Sequence, residues 1–139
     1  MKGKKAMFSH ASVEWGTPPD LFRDLDKEFH FDFDPCPPGQ VWDGTWLDWT
    51  GKRVFCNPPY SRNIGDWLAK GREALLAVFL LPSRTDTKWF HEHALNASEI
   101  RFFRGRLSFT RDHRWEPDRH KRCGAPFPSM LVIFDSKDP

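Results

Sequence analysis

The sequence predicts a single α/β domain: a mostly parallel sheet with an antiparallel C-terminal edge and helices on both faces. Three observations lead there. Segments of helical and strand period alternate as far as about residue 103, the pattern of strand–helix–strand units. The run Ala77-Val78-Phe79-Leu80-Leu81 is continuously apolar, as a strand covered on both faces must be. A chain of 139 residues, 39% hydrophobic and 29% charged, suffices for one core of ordinary composition.

Each element has its own signal. Residues 1–13 read as a flexible N-terminal arm and 14–135 as the domain. Thr17-Pro18-Pro19-Asp20 starts a helix, with Thr17 able to cap and proline suited to the first turn. Leu21, Phe22, Leu25 and Phe29 follow at helical spacing, which predicts a helix over 18–29. Phe31-Asp32-Phe33-Asp34 alternates apolar and acidic residues like a short strand, and Pro35-Cys36-Pro37-Pro38-Gly39 can only be a loop. Residues 40–52 hold no long periodic element.

Arg53–Cys56 is a second short strand, stopped by two prolines. A helix over 63–74 turns Ile64, Trp67 and Leu68 inward. The apolar run at 77–81 ends at Pro82 and Ser83, and a helix over 86–95 follows with Trp89, Phe90 and Leu95 inward. Ile100–Phe103 and Leu107–Phe109 read as strands around Gly105. Residues 110–124 form a basic loop, and Ser129–Phe134 is the closing strand. The last two strands are expected to pair antiparallel at one edge. Ligands of such sheets bind beyond the carboxyl ends of the strands, where 34–39 and 57–60 fall.

Composition narrows the function. No apolar run approaches the roughly 20 residues that cross a bilayer, and the basic start leads into no signal-peptide core. Three cysteines without a C-x-x-C pair suit a reducing interior, so a cytoplasmic location, in a bacterial host cell, is expected. Cys36, His120 and Cys123 match no usual zinc spacing. His91 and His93, two apart, do not share a helix face. No metal is expected.

Net charge is only +2, but the basic residues are unevenly placed. Between residues 101 and 122, Arg101, Arg104, Arg106, Arg111, Arg114, Arg119, Lys121 and Arg122 face three acids. Such a region on a near-neutral protein is either a phosphate footprint or a solvated loop. Arg84, between a strand and a helix, is placed for a phosphate or base contact.

Asn57-Pro58-Pro59-Tyr60 carries the chemistry. Two prolines remove two backbone donors and hold φ near −65°, and each residue before a proline is pushed to an extended conformation. The product is a stiff turn presenting carbonyl acceptors, to which Asn57 adds a side-chain oxygen. An adenine amino group is a poor nucleophile because its lone pair is delocalised into the ring. Acceptors aimed at both its hydrogens favour a tetrahedral nitrogen, a preorganised electrostatic effect. Tyr60, the single tyrosine beside thirteen phenylalanines and seven tryptophans, offers a face for a base. The plainer reading of these four residues is a strand exit that only turns the chain.

On these residues the chain resembles the phage-type DNA N-6-adenine methyltransferases of the Dam group of amino-methyltransferases. The resemblance covers about residues 14–134. It rests on Thr17-Pro18 with Leu21-Phe22; Phe33-Asp34; Asp48-Trp49; Phe55-Cys56-Asn57-Pro58-Pro59-Tyr60-Ser61; and Leu80-Leu81-Pro82 with Thr85-Asp86-Thr87 and Trp89-Phe90-His91. Ile100-Arg101-Phe102, Gly105-Arg106-Leu107 and Ala125-Pro126-Phe127-Pro128-Ser129-Met130 complete it.

The resemblance implies a small Rossmann-like methyltransferase sheet, S-adenosylmethionine as cofactor and DNA as partner. It implies that Thr17 and Pro18 hold the methionine end of the cofactor with Trp15 covering it, that Asp34-Pro35 opens the cofactor loop, and that Asp48 accepts from the cofactor's adenine amine. Asn57, Pro58, Pro59 and Tyr60 are then catalytic, with Asn57 also against the cofactor. Only Gly39 stands where a fuller glycine pattern is usual, and no clear acid serves the ribose, Asp43 being the one candidate. Target reading falls to residues 101–124, to a homo-oligomer or to a partner subunit, since 139 residues hold no separate recognition domain. Two other readings stand beside this one. The same turn occurs in methyltransferases that modify protein glutamine, and the short cofactor loop also fits an inactive DNA-binding descendant.

Overall fold

The computed structural model describes residues 15–40, 42–60, 63–109 and 125–137. Its sheet has four strands: β1 (Arg53–Cys56), β2 (Leu76–Pro82), β3 (Glu99–Phe102) and β4 (Ser129–Asp135). Three helices accompany it: α1 (Pro19–Phe29), α2 (Ile64–Gly71) and α3 (Lys88–Glu92). The order across the sheet is β1-β2-β4-β3.

The sheet is mixed, not mostly parallel. β1 pairs with β2 in parallel, Arg53 opposite Leu76 and Cys56 opposite Phe79. β4 pairs antiparallel with both β2 and β3. The expectation failed because the last strand does not join an edge. It inserts between β2 and β3, so it makes two antiparallel ladders while β1, β2 and β3 share one direction. β4 can occupy that slot because it is apolar on both faces, with six buried residues from Ser129 to Phe134.

Strand alternation sorts the core into two layers. Val54, Cys56, Ala77, Phe79, Leu81, Met130 and Val132 pack against Ile64, Trp67, Leu68 and Phe90 of α2 and α3. Phe55, Val78, Leu80, Leu131 and Ile133 pack against Leu25 of α1, with Leu21, Phe22 and Phe29 beside it. Helices therefore cover both faces, as the sequence predicts. Among the described residues no helix is long and apolar enough to cross a membrane.

Several local expectations change. Pro18, not Thr17, stands at the cap position of α1, and no side chain caps that helix. The Thr17 hydroxyl is turned to Asn57 instead. Residues 31–34 give a single parallel bridge, Phe33 to Val54, instead of a strand. The Asp32 carboxylate accepts from Arg53 N at 2.8 Å, taking a donor a ladder would use, and Pro35 has no N–H to continue one. Helix α2 stops at Gly71, short of residue 74. A Cβ at Gly71 would lie 2.5 Å from the Phe79 ring, and Ala74 already bridges Thr50.

Helix α3 begins later than expected, because Thr87 is its cap and accepts from Phe90 N. It ends at Glu92 and passes into a 3₁₀ turn, Ala94–Asn96. The tighter winding places Ala94 inside and leaves Leu95, expected inward, 54% exposed. Residues 107–109 form no strand: only Ser108 is in a bridge. Gly105, at φ 76°, turns the chain out of β3.

Candidate active site

β1 ends at Cys56 because the next residues cannot propagate it: Pro58 and Pro59 have no N–H. The chain leaves the sheet there and presents Asn57 at the strand's carboxyl end. The Asn57 amide is held from both sides. Its Nδ2 donates to the Trp15 carbonyl and, at 3.1 Å, to Thr17 Oγ1. Its Oδ1 lies 2.6 Å from the Tyr60 hydroxyl. A backbone carbonyl can only accept, so the atom facing Trp15 is the nitrogen and the amide has one orientation.

Tyr60 packs against both core layers at the end of the sheet. Its hydroxyl also lies 2.8 Å from the Leu80 carbonyl. One proton thus serves two acceptors. Burial, with the Cys56 and Cys36 thiols nearby, holds the hydroxyl well above its ordinary pKa, so it stays a donor. Phe127 stands edge-on to Tyr60 at 5.7 Å and edge-on to Trp15 at 5.2 Å, and Trp15 is edge-on to Phe109 at 5.6 Å. Arg84 lies over the Phe127 ring at 5.8 Å. The aromatic wall ties the segment before residue 110 and the one after 124 to the Asn57 turn; Ala125 N also donates to the Leu107 carbonyl at 2.9 Å.

Asp34 follows the Phe33 bridge and so leaves the sheet at the same end. Its Oδ1 accepts from Cys36 N at 2.9 Å, yet desolvation dominates and pushes the carboxyl up to about 6. Among the described residues it has no ion-pair partner. Pro35, fully buried, keeps its carbonyl against Gly44, where a Cβ would lie 1.9 Å away. Only glycine lets the 35–44 loop close on itself. Two serine hydroxyls at the ends of β2 and β4, those of Ser83 and Ser129, are buried without a partner among the described residues.

An acceptor-bearing Asn-Pro-Pro-Tyr turn and an unneutralised carboxylate thus meet at one end of an α/β sheet. The sequence pattern of the DNA N-6-adenine-methyltransferase (Dam) family matches residues 7–139. The chain belongs to that family. It is similar to the DNA N-6-adenine-methyltransferase of Haemophilus phage HP1 (strain HP1c1), with 30% identity over 145 residues, covering 90% of this chain and 80% of that protein. No solved structure matches the chain significantly. Membership makes it an adenine-specific DNA methyltransferase that uses a methyl donor, and it decides the acceptor in favour of DNA over protein glutamine.

The methyltransferase brings some expected residues together and separates others. Trp15, Thr17, Asp34, Pro35, Asn57, Pro58, Pro59, Tyr60 and Arg84 share the carboxyl end of the strands. Arg104 and Arg106 follow β3 and are exposed at that end, with Arg106 donating to the Ala125 carbonyl at 3.3 Å.

Asp48 is not brought there. It is exposed and accepts from Thr50 N at 2.9 Å, and that bond, with Lys52 and Lys70 nearby, lowers its pKa. Thr50 bridges Ala74, ahead of β2, so this turn sits where the strands begin. Asp43 caps the 3₁₀ turn Gly44–Trp46, accepting from Thr45 N and Oγ1.

Arg101 is engaged elsewhere. It makes a bidentate pair with Glu28 at 2.8 and 2.6 Å, bonds Glu99 at 2.6 Å, and lies over Phe29. Arg111, Arg114, Arg119 and Arg122 lie outside the described residues, as do His120 and Cys123. Among the described residues no cluster of His, Cys, Asp or Glu suits a metal ion. Phe109 and Phe127 carry little in the sequence that marks them as site residues. The one signal is weak: Phe127 sits between two prolines, which fix its backbone.

Proposed function

We propose that this methyltransferase uses S-adenosylmethionine and methylates a target adenine taken out of the helix and held by Asn57 and a carbonyl of the Pro58-Pro59 turn. The fully oriented Asn57 amide carries the reading. S-adenosylmethionine, when bound, supplies a methyl group on a cationic sulfonium. The donor set fits a cation: Asp34 is a largely buried carboxylate with no counter-ion among the described residues. Burying such a charge costs several kcal/mol unless it is paired, and the ammonium or sulfonium of the cofactor offsets that cost. Trp15 and Thr17, both bonded to Asn57, stand at the same end of the strands with Pro18 next in the chain, and Pro35, fully buried, backs the loop behind Asp34. The strand order, continued by the Phe33 bridge beside β1, supports a Rossmann-like methyltransferase sheet.

Asn57 Oδ1 and the turn carbonyl accept the two hydrogens of the amine and draw its lone pair out of conjugation. Tyr60 and the aromatic wall give the flipped base a face, since an amine inside a duplex cannot reach a strand-end crevice. Arg84, Arg104 and Arg106 line the same end and, with the basic stretch 110–124 whose flanks are packed there, hold the DNA backbone.

The test is methyl-label transfer to DNA. Asn57→Ala should lose roughly 10²–10³-fold in kcat, as removal of an oxyanion-hole donor does, with cofactor affinity within a few fold of native. Near-native turnover would overturn the assignment.

A further inference from the structure

We infer that the exposed ring of Trp46 is the platform on which the adenine of S-adenosylmethionine stacks. This rests on the reading of Asp34 as partner of the cofactor's cation and extends it to the other end of the same molecule. S-adenosylmethionine has a charged end and a flat, uncharged end. A carboxylate can serve only the first. A purine is held by its faces, and an indole is a large flat partner for it.

Trp46 is 82% exposed, whereas Trp49 and Trp67 close by are buried in the core. Tryptophan is on average a well-buried residue, so a ring displayed this fully is unusual. It is not displayed by a loose chain. Trp46 N donates to the Asp43 carbonyl at 3.1 Å and Leu47 N to the Gly44 carbonyl at 3.2 Å. The same Gly44 carbonyl accepts from the buried Trp49 indole at 3.0 Å. The Asp43 carboxylate caps the turn through Thr45. The backbone is fixed on both sides of Trp46, so a ligand that stacks there meets a surface already ordered.

The turn is also fixed in place beside Asp34. A Cβ on Gly44 would lie 1.9 Å from the Pro35 carbonyl oxygen and 2.9 Å from the Trp67 ring. Gly44 is therefore wedged against the residue that follows Asp34. Trp46 is two residues further on, at most about 7.6 Å away by Cα steps. The carboxylate and the indole thus belong to one closed loop, with its two ends for the two ends of one small molecule.

Charge and topology choose the cofactor's adenine over a base of the DNA. Residues 31–51 hold four aspartates, Asp32, Asp34, Asp43 and Asp48, and no lysine or arginine. An acidic segment repels a phosphate backbone and suits a cationic cofactor. The Phe33 bridge lies on the side of β1 away from β2. Arg84 follows β2, and Arg104 and Arg106 follow β3 at the opposite edge. Asn57, at the end of β1, stands between the acidic loop and these cations.

The experiment uses the full chain. It measures S-adenosylmethionine affinity by calorimetry, DNA affinity in parallel, kcat and KM by methyl-label transfer, and the midpoint of thermal unfolding. Trp46→Ala should weaken S-adenosylmethionine binding about 5–100-fold, the worth of one base stacked on an aromatic ring. Trp46→Phe, which keeps a flat face, should recover most of that affinity, and Trp46→Leu, apolar but without a π face, should not. The KM for cofactor should rise in Trp46→Ala while kcat at saturating cofactor stays near native, because the adenine is held equally in ground and transition states. DNA affinity and the unfolding midpoint should not change, since the ring is exposed.

Cofactor affinity within twofold of native in Trp46→Ala would overturn the inference, as would Trp46→Leu binding as well as Trp46→Phe. Lost DNA affinity with native cofactor affinity would overturn it too and give the ring to a DNA base. Should Trp46→Ala fail to fold, the Phe and Leu variants decide. Native affinity in Asp34→Asn with weak binding in Trp46→Ala would refute Asp34 as the cation's partner and support the platform. A native protein that shows no saturable S-adenosylmethionine binding would refute the underlying reading and the platform with it.

Discussion

Asp34 and Arg101 are opposite cases of one problem, how a fold keeps a charge. Arg101 is partly exposed and has two carboxylates, Glu28 and Glu99, with hydrogen bonds as short as 2.6 Å, which raise its pKa. Asp34 is largely buried and has one backbone N–H, and its pKa rises toward neutrality. The first arrangement satisfies the charge with residues of the chain itself and joins β3 to α1. The second leaves a charge for something else to satisfy. The sequence assigns both residues a ligand role. The structure separates them by whether a counter-ion is already present.

The largest expected effect breaks the comparison at Asp34. A carboxyl moved from 3.8 to about 6 destabilises the fold by ~3 kcal/mol once it is ionised. Because the folded pKa is the higher one, the penalty is complete above pH 6, relieved as pH falls, and gone below 4. Asp34→Asn should therefore stabilise the protein at pH 7 by up to that amount and by almost nothing at pH 4, measured by urea unfolding across pH. The same variant should bind S-adenosylmethionine about 10–100-fold more weakly, the worth of a charge-assisted hydrogen bond. Native affinity should itself fall as pH drops through 6. Equal affinity in both proteins would show that Asp34 holds no cation.

A smaller effect tests the other side. Arg101→Gln should cost stability about 0.5–1 kcal/mol, since its pairs are substantially exposed to solvent, and should leave the salt dependence of DNA binding unchanged. Neutralising Arg111, Arg114, Arg119 and Arg122 together should instead weaken DNA binding on all sequences. It should also flatten that dependence by roughly one unit of slope for each phosphate no longer neutralised. Affinity measured over a salt series distinguishes them. A flatter slope in Arg101→Gln would return Arg101 to the DNA surface.

The smallest effect concerns Asp48. It is exposed and bonded to Thr50 at the start of the strands, so Asp48→Ala should change cofactor affinity less than Asp34→Asn does. The reverse ranking by calorimetry would restore Asp48 as the contact for the cofactor's adenine.

What the chain determines alone is local. The stop at Pro58-Pro59, the helix from Pro19, the fully apolar β2 and the acceptor-rich turn follow from residues within a few positions of one another, through missing donors, limited φ and apolar periodicity. The family's motifs are of the same kind, which is why the activity is legible in the sequence. Long-range contacts decide the rest. β4 enters the sheet between β2 and β3 because an apolar strand gains most where both faces and both edges are covered, and alternation alone does not name its neighbours. Thr17 gives up its cap for Asn57, forty residues away in sequence. Arg101 finds Glu28 seventy-three residues away, and Asp34 finds burial without a cation. A side chain's type fixes what it can bond. Only the folded chain decides which partners are within reach, and therefore which groups are left with chemistry to do.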